Sequence, residues 1–500
     1  MTGMDEVLLS LRRFVPEAVL TIALLLVVLV DASGARFRNG LNRLLTVTAL
    51  AAALVLAARL HGVSAEIFSG MLVLDPMAVF FKMLLAGASL LVVLAFSFRN
   101  SRELHGLGQG EFYALMLAVT VSNMLLATAN DLAMLYLSLE MVSITSYVMV
   151  AYLKGDRLSN EASLKYILFG AVSTGGMLYG LTLLYGMTGS TSIPAIRDFL
   201  AAGLSDQNRF AVYVAALLVF AGFGFKTAAV PFHFWCPDVY QGAPTAVTAF
   251  LSVAPKAAGF AIMTRFFYQG LATPGAGSWD LSGTVDWPAL LIVISVLTMT
   301  LGNVAALTQT NMKRLLAYSS IAHAGYIMMG VVALSENGAR AVMIYLLTYL
   351  VMNLGAFLVV TLVHNQDGTF DLRDYPGLYR RAPFLTVAMA IFLFSLMGIP
   401  PLVGFMGKLY VFAAIIEKGK ELWWYAAVGA VNAAIAAYYY ARVLKTMIID
   451  AGNEDKPAFK LPAPDLAWVL ILVLANVLPL LWWGRIEGWT RASLSLYAGR

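Results

Sequence analysis

One cysteine, five histidines and few charges are all that this 500-residue chain has of the usual equipment of a soluble enzyme. The lone Cys236 excludes an internal disulfide, a cysteine-ligated iron–sulfur cluster and a Cys-rich zinc site. Asp, Glu, Lys and Arg together make 12% of the residues, against about a quarter in a soluble domain, so the chain cannot present a solvated surface on all sides. No Walker loop is present: GFMGK, ending at Lys408, lacks the leading glycine at the required spacing and is followed by Leu409. No GxGxxG opens a βαβ unit, and no His/Cys cluster has metal-ligand spacing. If the chain takes part in redox work, the electrons move on other chains. The net charge of +5 sits mostly in loops and reads as topology bias, not as a nucleic-acid footprint.

What is present is apolar length. Sixty per cent of the residues are hydrophobic, with mean hydropathy +0.79. Long apolar runs recur from end to end, which predicts membrane spans in place of one large core. Residues 15–30 lack a small-residue cleavage pattern and read as a first span, not a signal peptide. About fourteen runs approach the ~20 residues needed to cross a bilayer. They fall at 14–31, 41–60, 76–98, 110–129, 131–153, 161–188, 209–230 and 245–270. The remainder are 288–308, 313–334, 339–363, 383–417, 422–449 and 465–484. The expected fold is therefore an all-α integral membrane protein. The linker 191–206, with Ile193, Ile196, Phe199 and Leu200 beside Arg197 and Asp198, predicts a short helix lying at the interface.

Loop charge predicts orientation. With the N-terminus outside, the inner loops hold Arg36, Arg38, Arg43, Arg99, Arg102, Lys154 and Arg157. They also hold Lys313, Arg314, Arg373, Arg380, Arg381, Arg442, Lys445, Lys456 and Lys460. That is about sixteen basic residues inside against about eleven outside. An even span count places both termini on the outer side.

A charge at the bilayer centre costs roughly 2.5–3.5 kcal/mol on the mildest scale, so a side chain kept there needs a partner or a watery cavity. Five positions stand out: Glu140 in span five, Lys226 in seven, Lys256 in eight, His323 in ten and Lys408 in twelve. The competing readings are a snorkelling flank, a static buried pair, or for His323 a satisfied core residue among Ser319, Ser320 and Tyr326. Lys82 and Lys165 are weaker candidates, Lys82 for packing and Lys165 for a switch between loop and interior. Arg265 reads as a residue that snorkels outward.

Helix breakers flank these charges. Pro231, followed by Pro237, Gly242 and Pro244, must open span seven, and Gly398, Pro400 and Pro401 must open span twelve. Irregular backbone at membrane depth is tolerated only where protein or trapped water satisfies it. Interrupted spans in corresponding halves point to an ion pathway between repeats. GFGFK, ending at Lys226, and GFMGK, ending at Lys408, resemble each other five spans apart. With the flanking prolines they predict inverted repeats of spans four to eight (110–270) and nine to thirteen (288–449). A three-helix segment (1–109) precedes them, and a last span with a short tail (465–500) follows. Burial disfavours an ammonium and a nearby carboxylate restores it, so a Lys–Glu pair that parts and rejoins can load and release a proton without metal or cofactor. Hydroxyls and a histidine between lysines order water for such a relay.

The stretches SLEMVSITSY (138–147), KTAAVPFHFWCPDVYQGAPTAVTAFLSVAPKAAGF (226–260), NMKRLLAYSSIAHAGY (311–326) and GIPPLVGFMGKLYVF (398–412) together are specific. On them the chain resembles, over nearly its whole length, the antiporter-like subunits of respiratory complex I and of multisubunit cation/proton antiporters. The resemblance implies a proton-channel module of paired inverted repeats. Glu140 matches the family's acidic residue, Lys226 and Lys256 its lysines on spans seven and eight, and Lys408 its twelfth-span site. Lys165 matches a bridging lysine and His323 a histidine on the hydrophilic axis. Among the three such subunits of bacterial complex I, Lys408 in place of a glutamate disfavours one. The chain's end soon after span fourteen disfavours the one with a long lateral helix. The alternative is the D-type subunit of a sodium/proton antiporter, without redox coupling.

The resemblance further implies that no cofactor binds this chain, with FMN, iron–sulfur clusters and quinone on other subunits. The implied partners are the other membrane subunits, especially neighbouring antiporter-like ones, together with lipid, protons and water, and no nucleic acid. The implied place is the bacterial inner membrane.

Overall fold

The computed structural model describes residues 3–96, 98, 101–275, 277–281, 285–452 and 457–494. Arg99 and Lys456, counted among the inner-loop charges, lie outside the described residues.

Apolar helices follow one another with short turns between them. An amphipathic helix α1 (Gly3–Arg13) leads into α2 (Val15–Ala32) and α3 (Arg38–Arg59). A small hairpin, β1 (Ala65–Ile67) and β2 (Leu72–Leu74), precedes α4 (Pro76–Ala95). The start of α4 is set locally, because Asp75 accepts from the Ala78 N–H while Pro76 fills the first turn. Then come α5 (Gln109–Thr128), α6 (Leu132–Val150), α7 (Arg157–Thr188), α8 (Ile193–Ala201), α9 (Asp206–Thr227), α10 (Trp235–Gly242) and α11 (Thr245–Arg265). A π-helical turn, Phe266–Gly270, and a second hairpin, β3 (Ala272–Pro274) and β4 (Trp279–Leu281), lead to α12 (Trp287–Ala306). The chain continues with α13 (Met312–Val332), α14 (Glu336–Asp367), α15 (Leu378–Arg381), α16 (Pro383–Met397), α17 (Val403–Lys418) and α18 (Trp423–Ile448). It closes with α19 (Ala463–Val477) and α20 (Trp483–Ala492).

Twelve described helices are long and apolar enough to cross a membrane, and the protein is a multi-pass all-α membrane protein. The two expected spans outside that count are α18, rich in Tyr and Ala, and the span at 383–417, split into α16 and α17. The linker helix exists as α8: Ile193, Ile196 and Leu200 are buried, while Phe199 is exposed.

Two halves repeat one pattern. In the first, Asp131 caps α6 and pairs with Ser192, the Leu132 N–H reaching Thr191 and the Ile193 N–H reaching Asn130. In the second, Asn311 caps α13 and pairs with Asp371, the Met312 N–H reaching Phe370 and the Leu372 N–H reaching Thr310. Both α7 and α14 run 32 residues and end on a left-handed glycine, Gly189 and Gly368. Both later helices break at a cis proline, Pro231 and Pro401.

The core lies where the halves meet. Every residue of α11 is buried, and α11 packs on α4, α5, α9 and α14. By contrast α2 and α19 bury only a few positions each.

Candidate functional site

The first break begins after Lys226, in the last turn of α9. Ala228 adopts a left-handed φ of 60°, and residues 228–234 carry the chain to α10. Pro231 has no N–H to give, and the Val230 N–H is met by the Thr298 hydroxyl of α12 at 3.0 Å. Lys226 is 1% exposed. Its Nζ donates to the Ser143 Oγ of α6 at 3.0 Å. Gly259 of α11 lets the lysine stem pass, since a Cβ there would sit 3.2 Å from the Lys226 Cγ.

Lys256 follows Pro255 midway along α11 and is 2% exposed. Its Nζ donates to the Ser320 carbonyl of α13 at 3.1 Å and also to the Ser320 hydroxyl. That hydroxyl lies 3.3 Å from the Tyr240 Oη of α10. One turn along α13, His323 sits between two phenols. Its Nδ1 is 2.8 Å from the Tyr345 Oη and its Nε2 is 3.4 Å from the Tyr440 Oη. Tyr440 returns to α13 through Ser319 at 2.5 Å.

The second break opens at Gly398, whose φ of 85° is left-handed. Gly404, at the start of α17, presses on the Ser395 carbonyl so closely that a Cβ would collide with it, and its N–H is met by the Ser395 Oγ. Lys408, 5% exposed, reaches back from α17. Its Nζ donates to the carbonyls of Leu396 and Met397 at 3.1 and 2.7 Å, closing the C-terminal end of α16. The ammonium also lies 4.9 Å from the ring centroid of Tyr326, whose Oη accepts from Asn303.

Lys226, Lys256, His323 and Lys408 are thus each bonded to hydroxyls, phenols or carbonyls, and the helices that carry them, α9, α11, α13 and α17, pack in succession as a line. Among the described residues none of the three lysines has a carboxylate within 4 Å. Neutral acceptors hold an amine as well as an ammonium, so the proton can leave without stranding a buried anion. Arg265 is the opposite case. The sequence predicts that it snorkels outward, yet it is fully buried and forked onto Asp75, with Nη–O distances of 2.7 and 3.1 Å. A guanidinium gripped by a carboxylate and always charged is a fixed strut.

Other expectations need correction. Glu140 is half-exposed on α6, and Lys226 turns to Ser143 instead of pairing with it; the two interact through the field only. Lys165 sits at the edge of the line, half-exposed, between Glu161 and Asp238 at 2.7 Å each. Asp238 also binds Arg314, so it ties α7 to α13. GFGFK and GFMGK are not equivalent. The first closes the half-helix before its break and the second opens the half-helix after it, so Lys226 precedes its break and Lys408 follows its own. Lys313 is no loop charge but a buried residue of the first turn of α13, 3.5 Å from Glu103. Lys82 is not packing alone: it forms a fully buried pair with Glu17 at 2.8 Å.

Residues 129–436 match the family described as NADH:quinone oxidoreductase/Mrp antiporter, transmembrane. A relative named NADH-quinone oxidoreductase subunit N, from Anaeromyxobacter sp. strain Fw109-5, is 46% identical over 516 residues, 99% of this chain and 98% of its own length. The chain belongs to the NADH:quinone oxidoreductase/Mrp antiporter family. Within it, a chain of respiratory complex I from Thermus thermophilus, solved with bound aureothin, superposes with TM-score 0.77 at 31% identity, covering 95% of this chain and 98% of that one. A chain of the Mrp complex from Dietzia sp. DQ12-45-1b superposes with TM-score 0.82 at 20% identity, covering 97% and 98%, and shares the fold.

Proposed function

We propose that the chain is the proton-translocating membrane subunit N of NADH–quinone oxidoreductase. Electron transfer from NADH to quinone takes place on other subunits, and this subunit moves protons along its buried lysines. The observation that carries the reading is the line itself: three lysines and a histidine at membrane depth, each bonded to neutral groups, running between two broken helices. The full-length likeness to relatives of that name supports it. Lys226, Lys256 and Lys408 carry the exchangeable protons, His323 relays between Lys256 and Lys408, and Glu140 tunes Lys226 through the field. Lys165 adjusts the same end of the line from its edge. The two inverted units, 110–270 and 288–449, each contribute one broken helix.

The exposed apolar face of α6, with Leu137, Met141, Ile144 and Val148 beside half-exposed Glu140, fits a neighbouring antiporter-like subunit. The flavin, iron–sulfur clusters and quinone belong to other subunits. The inner bacterial membrane is the site of action, with both termini on the outer side. Gentle detergent extraction tests the assignment. Co-migration with flavin- and iron–sulfur-bearing subunits is expected, whereas migration with small membrane subunits alone overturns it in favour of a D-type antiporter subunit.

A further inference from the structure

Away from the lysine line, Glu103 stands between open solvent and the helix that carries Lys256. Its side chain is about nine-tenths buried. It forms part of the wall of a cleft of about 410 Å³ that also holds His105, Glu111, Lys154 and Asp156. On its inner side its Oε2 accepts from the Thr245 N–H at 2.8 Å, at the first residue of α11. Its Oε1 lies 3.5 Å from the Nζ of buried Lys313, which also donates to the Ala243 carbonyl at 2.6 Å.

From Thr245 a polar stripe climbs α11. Thr245, Thr248, Ser252 and Lys256 fall at spacings of three and four, on one face of a helix whose other positions are almost all apolar. The stripe spans twelve residues, roughly 16 Å of helix. All four side chains are buried. Ser252 accepts from the Asn353 Nδ2 of α14 at 2.5 Å. Two buried atoms on this stripe and its α14 neighbour have no hydrogen-bond partner among the described residues, the Thr245 Oγ1 and the Asn353 Oδ1. Buried polar atoms are almost always satisfied, by protein or by ordered water. Leftover capacity on adjoining helices is what a file of hydrogen-bonded water requires. The Thr248 and Ser252 hydroxyls donate to the Tyr240 and Ala249 carbonyls at 3.0 and 2.7 Å, so each keeps its oxygen lone pairs to accept from water.

We propose that Glu103 takes protons from the cleft and delivers them along the α11 stripe to Lys256. This rests on the proton-translocating reading above and names where protons enter. A hydronium in the cleft protonates the carboxylate. The carboxyl gives that proton to the hydroxyl and water file, and the Lys256 amine accepts one at the far end after passing its own toward Ser320 and His323. Charge balances and no electron moves.

The test uses the whole purified complex in detergent, where no gradient limits turnover. Glu103→Gln keeps an acceptor for the Thr245 N–H but cannot carry a proton. NADH oxidation by a soluble acceptor reports assembly. Quinone-reductase turnover is expected to fall at least about tenfold, less than the about hundredfold usual for a lost proton-transfer group because cleft water substitutes in part. Imidazole, a small proton carrier, is expected to restore more than half of it. Parental turnover in assembled Glu103→Gln, or a loss that imidazole leaves untouched, overturns the proposal, the second being what a merely structural Glu103 would give. If Glu103→Gln does not assemble, Asn353→Leu decides. This near-isosteric change removes the orphaned acceptor and leaves Glu103 in place, and unchanged turnover there overturns the route. Lys256→Ala in the same preparation separates the two failures: unchanged turnover overturns proton translocation itself, while loss beside a fully active Glu103→Gln overturns only the route.

Discussion

The Lys408 ammonium on α17 lies 2.7 Å from the carbonyl of Met397, the last residue of α16, so one cation spans the second helix break. The same group that is placed to move a proton also satisfies carbonyls that the break set free. Lys408→Met should therefore do two kinds of damage. Stranding buried carbonyls costs about 1–3 kcal/mol of stability. Proton pumping, followed by fluorescence quenching in inverted vesicles, should also be lost. Lys408→Arg separates the effects, because a guanidinium still caps but does not release its proton. Thermal stability of the complex should recover in Lys408→Arg while pumping does not. Recovery of pumping in the arginine variant would show that capping alone is what Lys408 contributes.

Ser143→Ala removes the hydrogen-bond acceptor of Lys226. The ammonium then lacks a neutral group to share its proton with, at a cost of about 1–3 kcal/mol. Initial pumping rates should fall roughly five- to hundredfold, with normal subunit levels, and Ser143→Thr should restore most of the rate. Pumping at the parental rate in Ser143→Ala would remove Ser143 from the line.

Arg265 and Asp75 should behave as a strut. Arg265→Met leaves the Asp75 carboxylate buried without its guanidinium, a loss of about 3–5 kcal/mol. The expected result is a low level of the subunit in membranes. Arg265→Met combined with Asp75→Asn should recover much of that level, since the amide oxygen keeps the cap on Ala78 and no charge is stranded. Whatever assembles should pump normally per NADH oxidised.

Glu140→Gln should leave the fold intact, within about 0.5 kcal/mol, because the side chain is half-exposed and makes no ion pair among the described residues. Coupled pumping should still drop, because the field that Lys226 feels is gone. Unaltered pumping in assembled Glu140→Gln would assign this carboxylate a purely structural place at a subunit boundary.

Local chemistry determined a good deal of this protein without any tertiary information. Apolar runs near the bilayer length placed the helices, since in lipid each backbone must bond within its own segment. Pro231 and Pro400–Pro401 marked both breaks, because a missing N–H and a ring clash act on the nearest turn. The buried cost of charge singled out Lys226, Lys256 and Lys408, all of which lie in the interior. Partner choice was different. That Lys226 meets Ser143 and not Glu140, that Arg265 turns inward to Asp75, and that Glu103 reaches Thr245 and Lys313 depend on which helix faces lie together. Those partners stand 83, 190, 142 and 210 residues apart in the chain. A hydrogen bond is decided within about 3 Å, and a chain's own periodicity holds no distance to a helix that far away. GFGFK and GFMGK show the same limit: alike as strings, they fall on opposite sides of their breaks, and only the packed helices reveal that Lys226 crosses to Ser143 of α6 while Lys408 reaches back to the carbonyls that end α16.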